Sequence, residues 1–265
     1  MKRVDTAYTP VDPGSYGSRV TILAGQATQK AAREAKKQLV DAAAKTWQVQ
    51  AEEIEIREGK VFCISDPEKS MPFDRLARIA CYSGTGAVIL GTGYSSYGLD
   101  PLDLMTGIGN GGTSYSFTAQ TAKVSVDEET GKISVTDFTI ASDCGRLLSP
   151  IIAEGQIEGG SIQGMGQTLY EEFVMDRGCT LNPTFLDYKM PLAPDVPEIR
   201  LIDVITNDPD GPFGSKEASE GSIVSAPPAI VSAIHDATGI WFKELPITPE
   251  KVVRALREKK AGAKL

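Results

Sequence analysis

Glu154-Gly155-Gln156-Ile157-Glu158-Gly159-Gly160-Ser161-Ile162-Gln163-Gly164-Met165-Gly166 is the stretch on which the fold turns. It lies within a small-residue segment, from about Ala153 to Phe173, that reads as a helix. Each glycine inside a helix costs about 1 kcal/mol relative to alanine. Gly155, Gly159, Gly160, Gly164 and Gly166 together call for a compensating cause. Close approach of another backbone, or of a ligand, is the natural one. Gln163 is the polar residue among them, and its amide can satisfy a heterocycle or simply neighbouring backbone.

Towards the C-terminus, a strand from Ile199 to Ile205 is followed by the turn-rich loop Asp208 to Lys216. The segment Gly214-Ser215-Lys216-Glu217-Ala218-Ser219-Glu220-Gly221 then leads into a helix from about Val224 to Ala237. Carboxylates beside the N–H groups of a helix start can serve as a base or as a capping charge. Glu217 and Glu220 are open to both readings. Their spacing of three also suits two acids on one helical face, as a hydrolase would need. A final helix opens at Thr248-Pro249-Glu250, with Thr248 as N-cap and Pro249 in the first helical position.

Towards the N-terminus, Ala122, Val124 and Val126 alternate, Asp127 to Gly131 turns, and Ile133 and Val135 resume the alternation, which predicts a hairpin. Ser83 to Thr113 is rich in Gly, Ser and Tyr and reads as a long functional or interface loop. Phe73 to Ala80 suits a short helix, and Ile54, Ile56, Glu58-Gly59-Lys60 and Val61-Phe62 a second hairpin. Ala27, Ala31, Ala35 and Leu39 recur every four residues, predicting a helix that Trp47 closes. The opening, Asp5 to Ala24, reads as a loop. Its Gly17-Ser18-Arg19 turn offers N–H groups, a hydroxyl and a guanidinium that suit a phosphate, or an ordinary helix entry. The pattern is α+β, with two subdomains of hairpins or small sheets and packed helices, roughly 1–115 and 116–265.

Composition excludes several classes. A net charge of −8 and a pI near 4.9 leave no basic stripe for nucleic acid. No apolar run reaches the ~18 residues of a membrane span, and the polar start Met1-Lys2-Arg3 offers no signal core, so the chain is expected to be cytoplasmic, or exported only alongside a partner. Cys63, Cys81, Cys144 and Cys179 are scattered and predict free, mostly buried thiols rather than a disulfide frame or zinc site. The single histidine, His235, sits in an apolar helical stretch, so no histidine-based metal site is expected.

The order of these motifs carries more than any one of them. Gly17-Ser18-Arg19 is followed by Asp143-Cys144-Gly145-Arg146, then by the glycine-rich series, Asp187-Tyr188, Gly214-Ser215-Lys216 through Glu220, and Leu245-Pro246-Ile247-Thr248-Pro249-Glu250. This series resembles the C-terminal molybdopterin-binding region of the xanthine dehydrogenase and aldehyde oxidase family, from about Pro10 to Arg257. The resemblance implies a molybdopterin cofactor, commonly in its cytosine dinucleotide form, with molybdenum held by the pterin and by no protein side chain. It assigns Gly17, Ser18 and Arg19 to the cofactor's phosphate and pterin side, and Gln163, Gly164 and Ser219 to cofactor binding. Glu220 matches the glutamate that acts as general base beside the metal.

Two departures qualify what the resemblance implies. The family has glycines around its glutamate, as Lys-Gly-x-Gly-Glu, and here Glu217 and Ser219 replace both. A Lys-Glu-x-x-Glu form is similar to the hydroxybenzoyl-CoA reductase branch, which removes a phenolic hydroxyl reductively. The family's whole large subunit is also much longer, so this chain is expected to be a split subunit or fragment. It would need the N-terminal half of that subunit, an iron–sulfur subunit and in some members a flavin subunit, with FeS and FAD only on those partners. The alternative expectation is a non-catalytic remnant, or an assembly and binding module, that keeps the fold.

Overall fold

The computed structural model describes residues 5, 7, 12, 14–82, 88–96, 103–112 and 114–262. These fall into two units, one formed by residues 21–111 and the other by residues 1–20 with 112–265. Parts of the opening loop, and residues 83–87, 97–102 and 113 of the long loop, lie outside the described residues.

In the first unit the leading helix, α1, runs Val20–Trp47, so the helix starts well before the alanine ladder. Val20, Thr21 and Gly25 are poor helix formers and hide that start in the sequence. Ile22, buried at 3% exposure, anchors it instead. The strands β1 (Ile54–Arg57), β2 (Lys60–Cys63) and β3 (Ser70–Pro72) form an antiparallel sheet, followed by α2 (Phe73–Tyr82). The β1–β2 turn holds Glu58 and Gly59 at φ 48° and 71°, the two positive values that a tight two-residue hairpin turn requires. Leu39, Ala43 and Ala44 of α1 close the core with Ile54, Val61, Met71, Leu76 and Ala80.

Residues 88–96 form no helix or strand, yet they have a register of their own. Leu90 exchanges hydrogen bonds with Gln38, Thr92 bonds to Glu34, Lys30 donates to the Tyr94 carbonyl, and Ser95 bonds to Gln26. An extended chain advances ~6.6 Å per two residues and a helix ~6 Å per four, so alternate residues of the one meet every fourth of the other. Between these rungs Gly91 and Gly93 lie on the backbone of Ala31 and Ala27, where a Cβ would collide with the carbonyls. The alanine ladder is the groove in which this segment lies.

The second unit is built on a long hairpin of β4 (Phe117–Val126) and β5 (Ile133–Asp143). Asp127 accepts from the N–H groups of Glu129 and Thr130 and Gly131 takes φ 74°, so the predicted turn forms. A bulge between Lys123 and Val124 shifts the pairing, which explains why the inward residues of β5 change phase from Ile133 and Val135 to Phe138 and Ile140. After β5 comes α3 (Pro150–Leu169), then a small hairpin of β6 (Met175–Asp176) and β7 (Cys179–Thr180). β8 (Glu198–Asp203) pairs parallel to β5, a crossover that alternation alone does not reveal. α4 (Glu220–Thr238) and α5 (Pro249–Lys260) follow, and Thr248 caps α5 by accepting from the Lys251 N–H.

Phe138, Met165, Ile230, Ile234, Ile247 and Val252 form the centre of the core that joins the hairpin to α3, α4 and α5. The α+β expectation therefore holds. All four cysteines are free, but only Cys63 and Cys144 are buried; Cys81 lies in the last turn of α2 and Cys179 on the small hairpin, both exposed. Among the described residues no helix is long and apolar enough to cross a membrane.

Candidate active site

Glu220 is the first residue of α4, four residues earlier than the helix predicted from Val224. Pro227 and Pro228, inside the helix, obscure its extent in the sequence. The carboxylate is exposed at the positive end of the helix, a favourable place for a negative charge. Glu217 lies before the helix and accepts a hydrogen bond from Ser116, so the two acids do not share a helical face and the paired-acid hydrolase reading fails.

The loop before α4 is stitched to the end of β5. Lys216 N–H donates to the Cys144 carbonyl at 2.8 Å, and Arg146 N–H to that of Gly214 at 2.9 Å. Side chains reinforce this seam. Lys216 Nζ lies 2.8 Å from Asp143 Oδ2, with both side chains about nine-tenths buried. Asp143 Oδ1 accepts from the Thr206 hydroxyl at 2.7 Å and the Gly145 N–H at 3.0 Å. Burial pushes the Asp143 carboxyl up, but the Lys216 ammonium and these two donors outweigh it and hold the carboxyl below the usual range.

Ser219 has φ 108° and ψ −65°, a conformation suited to glycine rather than to a residue with a Cβ. It is at this position that the resembling family has glycine. The seam on one side and α4 on the other hold Ser219 there, at a cost on the order of 1–3 kcal/mol. Its hydroxyl makes no cap bond to the helix. Ser18, from the opposite end of the chain, meets Glu220 instead: its hydroxyl donates to Oε2 at 3.0 Å and accepts the Glu220 N–H at 3.3 Å. Gly17 and Ser18 both take positive φ, 60° and 49°, and the Arg19 guanidinium stacks 3.4 Å over the Tyr16 ring.

The glycine-rich helix has two different faces. A Cβ at Gly160 would lie 2.6 Å from the Ser219 carbonyl, and one at Gly164 would lie 2.6 Å from the Ile223 carbonyl and 2.7 Å from Ala226 Cβ. Pro227 has no N–H to offer the Ile223 carbonyl, which is why that oxygen can face α3. Gly155 and Gly159, by contrast, have open space where a Cβ would stand, and Gln163, four residues on, is exposed. Ser219 thus packs on the backbone of α3 at Gly160, and the next residue, Glu220, is held by Ser18. Gly17 and Arg19 flank Ser18, and Gln163 sits between the two contact glycines on the outward side.

Other members of the site are absent from the sequence reading. Ser116, Gln120 and Thr206 come from strand and loop positions without a motif. Gln120 donates to Ser161 Oγ and to the Ser222 carbonyl, both at 2.9 Å, beneath the start of α4. The alternation of β4 signals only that Gln120 points inward.

This is a polar cradle beside a carboxylate, assembled on a glycine-rich helix. Residues 1–197 match the molybdopterin cofactor-binding domain family, and the chain belongs to that family. The xanthine dehydrogenase molybdenum-binding subunit of Escherichia coli O157:H7 is 30% identical over 259 residues, which cover 94% of this chain and 32% of that protein. The quinoline 2-oxidoreductase of Pseudomonas putida 86 matches with a TM-score of 0.75 and 28% identity over 92% of this chain and 31% of its own. CO dehydrogenase of Oligotropha carboxidovorans matches with a TM-score of 0.78 and 26% identity over 97% and 31%. The chain spans about a third of the length of these proteins.

The residues fit a molybdopterin. The side-chain-free surface at Gly155 and Gly159 lets another molecule reach the helix backbone, and exposed Gln163 beside it offers both donors and an acceptor.

Proposed function

We propose that this chain is the second cofactor-binding part of a molybdenum-dependent oxidoreductase large subunit, with Glu220 as its general base. The observation that carries the reading is the Glu220 carboxylate, exposed at the start of α4 and held by Ser18 next to the glycine-rich helix. The molybdenum cofactor, when bound, supplies two-electron redox chemistry that no side chain here can supply. The chain's own groups do the rest. The Gly17–Arg19 turn binds the anionic end of the pterin, in its cytosine dinucleotide form, through N–H groups and the guanidinium. Gln163 meets the heterocycle with its amide, and Gly164 and Ser219, which pack against α4 and α3 instead of facing open space, serve the cofactor by holding helix and loop together beneath it. Glu220 Oε2 accepts the proton released as substrate is oxidised, or returns it when the reaction runs reductively.

The substrate class is an aromatic or heteroaromatic ring or an aldehyde, in line with xanthine and quinoline in the names of two relatives. The remaining two thirds of the large subunit and an iron–sulfur subunit, joined in some members of the family by a flavin subunit, complete the enzyme, in the cytoplasm. The test is Glu220→Ala in the assembled enzyme. Turnover is expected to fall by about 10²–10⁴-fold with molybdenum content unchanged, the usual contribution of a general base. Turnover near wild type, with molybdenum retained, would remove the base. It would favour a binding module that keeps the fold, a reading to which strained Ser219 and the tethered Glu217 lend support.

A further inference from the structure

The geometry points to Ser18 as the positioning residue of Glu220: one hydroxyl ties the Gly17–Arg19 turn to the carboxylate across 202 residues of sequence. An N-cap side chain, held in the extended region of backbone space, ordinarily accepts from the second or third N–H of its helix and does not reach the first. Ser219 is the right residue type, but at φ 108° and ψ −65° its hydroxyl makes no such bond. Its carbonyl is already engaged with the N–H groups of Ser222 and Ile223, at 2.9 and 3.4 Å. The first N–H of α4 is left to Ser18.

A hydroxyl has one proton to donate and two lone pairs to accept with, so Ser18 can make both of its bonds at once. The bond from the Glu220 N–H fixes where the helix begins relative to the turn. The bond to Oε2 fixes the far end of a side chain with three rotatable bonds. An exposed glutamate with neither would sample many rotamers. Ser18 is itself aimed by two successive left-handed residues, Gly17 and Ser18, so the direction of its hydroxyl is set by the path of the turn. A ligand that seats the Gly17–Arg19 turn therefore also sets the direction of the Glu220 carboxylate, through one side chain. The catalytic consequence rests on the role proposed above for Glu220; the contact itself does not.

The contact is read first in the full chain, by amide hydrogen exchange resolved by NMR. Ser18→Ala is expected to speed exchange at the Glu220 N–H by about fivefold, the effect of losing one ordinary hydrogen bond, and to leave Ala226, deep in α4, unchanged. Ser18→Thr, which keeps the hydroxyl, is expected to restore slow exchange. Unchanged exchange at Glu220 in Ser18→Ala would overturn the proposal. In the assembled enzyme Ser18→Ala is expected to lower kcat several-fold with KM unchanged, and Ser18→Thr to recover it. A loss carried by KM, or one that threonine fails to recover, would overturn the positioning role. If Glu220→Ala proves silent while exchange at Glu220 still depends on Ser18, the general-base reading fails and the contact stands.

Discussion

Asp143 holds three segments of the site together through charge and hydrogen bonds: its own strand, the Thr206 loop and the Lys216 loop. A carboxyl held below its ordinary value adds stability that is complete above the unfolded value of about 3.9 and is lost as pH falls through the lower folded value. At neutral pH, Asp143→Ala leaves Lys216 buried without its partner and is expected to cost about 3–5 kcal/mol. Urea unfolding of wild type and variant should therefore differ by that amount at pH 7 and by less once the pH drops below about 4. An equal difference at pH 3 and pH 7 would show that the charge of Asp143 is not what stabilises the fold. Asp143, Lys216, Ser18 and Glu220 are all legible in the sequence as polar residues in motifs. Their partners are not, because a pair separated by 73 or 202 positions leaves no local period. Ser219 is the reverse case: its substitution for glycine is plain in the sequence, and only the backbone angle gives it meaning.

Among the elements, α3 divides its glycines between a covered face and an open one, and substitution should divide them too. Gly164→Ala drives a methyl group against the Ile223 carbonyl and Ala226, and overpacking of this kind costs about 1–3 kcal/mol. Gly159→Ala meets nothing and should raise the stability of the isolated chain by up to ~1 kcal/mol through helix propensity alone. Thermal unfolding of the two variants checks the sign of each, and similar shifts for both would contradict the two-faced helix. The sequence signals close approach at these glycines without distinguishing which of them α4 covers. That distinction comes from Pro227, which frees the Ile223 carbonyl to face α3. In the other unit, residues 88–96 read as a loop without a period. Their period becomes visible only beside α1, because it is expressed in the helix's spacing of four as well as in their own spacing of two.

As a whole molecule, the chain carries a core of its own yet leaves large apolar side chains in water. Ile151 and Ile152 are 83% and 67% exposed at the open end of α3, and Phe185 and Leu186 are each 80% exposed. Such neighbours suit a surface that the remainder of a large subunit covers. A partner that binds only the folded chain stabilises it by mass action, by about 2.7 kcal/mol at a hundred times its Kd. Adding the large-subunit partner proposed above should accordingly raise Tm with concentration and slow exchange along α3, whereas a Tm independent of concentration would count against that partner. By itself the sequence determined the α+β class, the two hairpins, most helices, the acidic surface and the resemblance to molybdopterin-binding domains, because these are written in local periods, turn residues and motif order. The parallel pairing of β8 with β5, the early start of α4 at Glu220, the seam from Asp143 to Lys216 and the grip of Ser18 on Glu220 were decided only by the tertiary structure. Each depends on backbone groups and side chains that meet across long stretches of chain, where hydrogen-bond satisfaction and packing, rather than local propensity, select the partner.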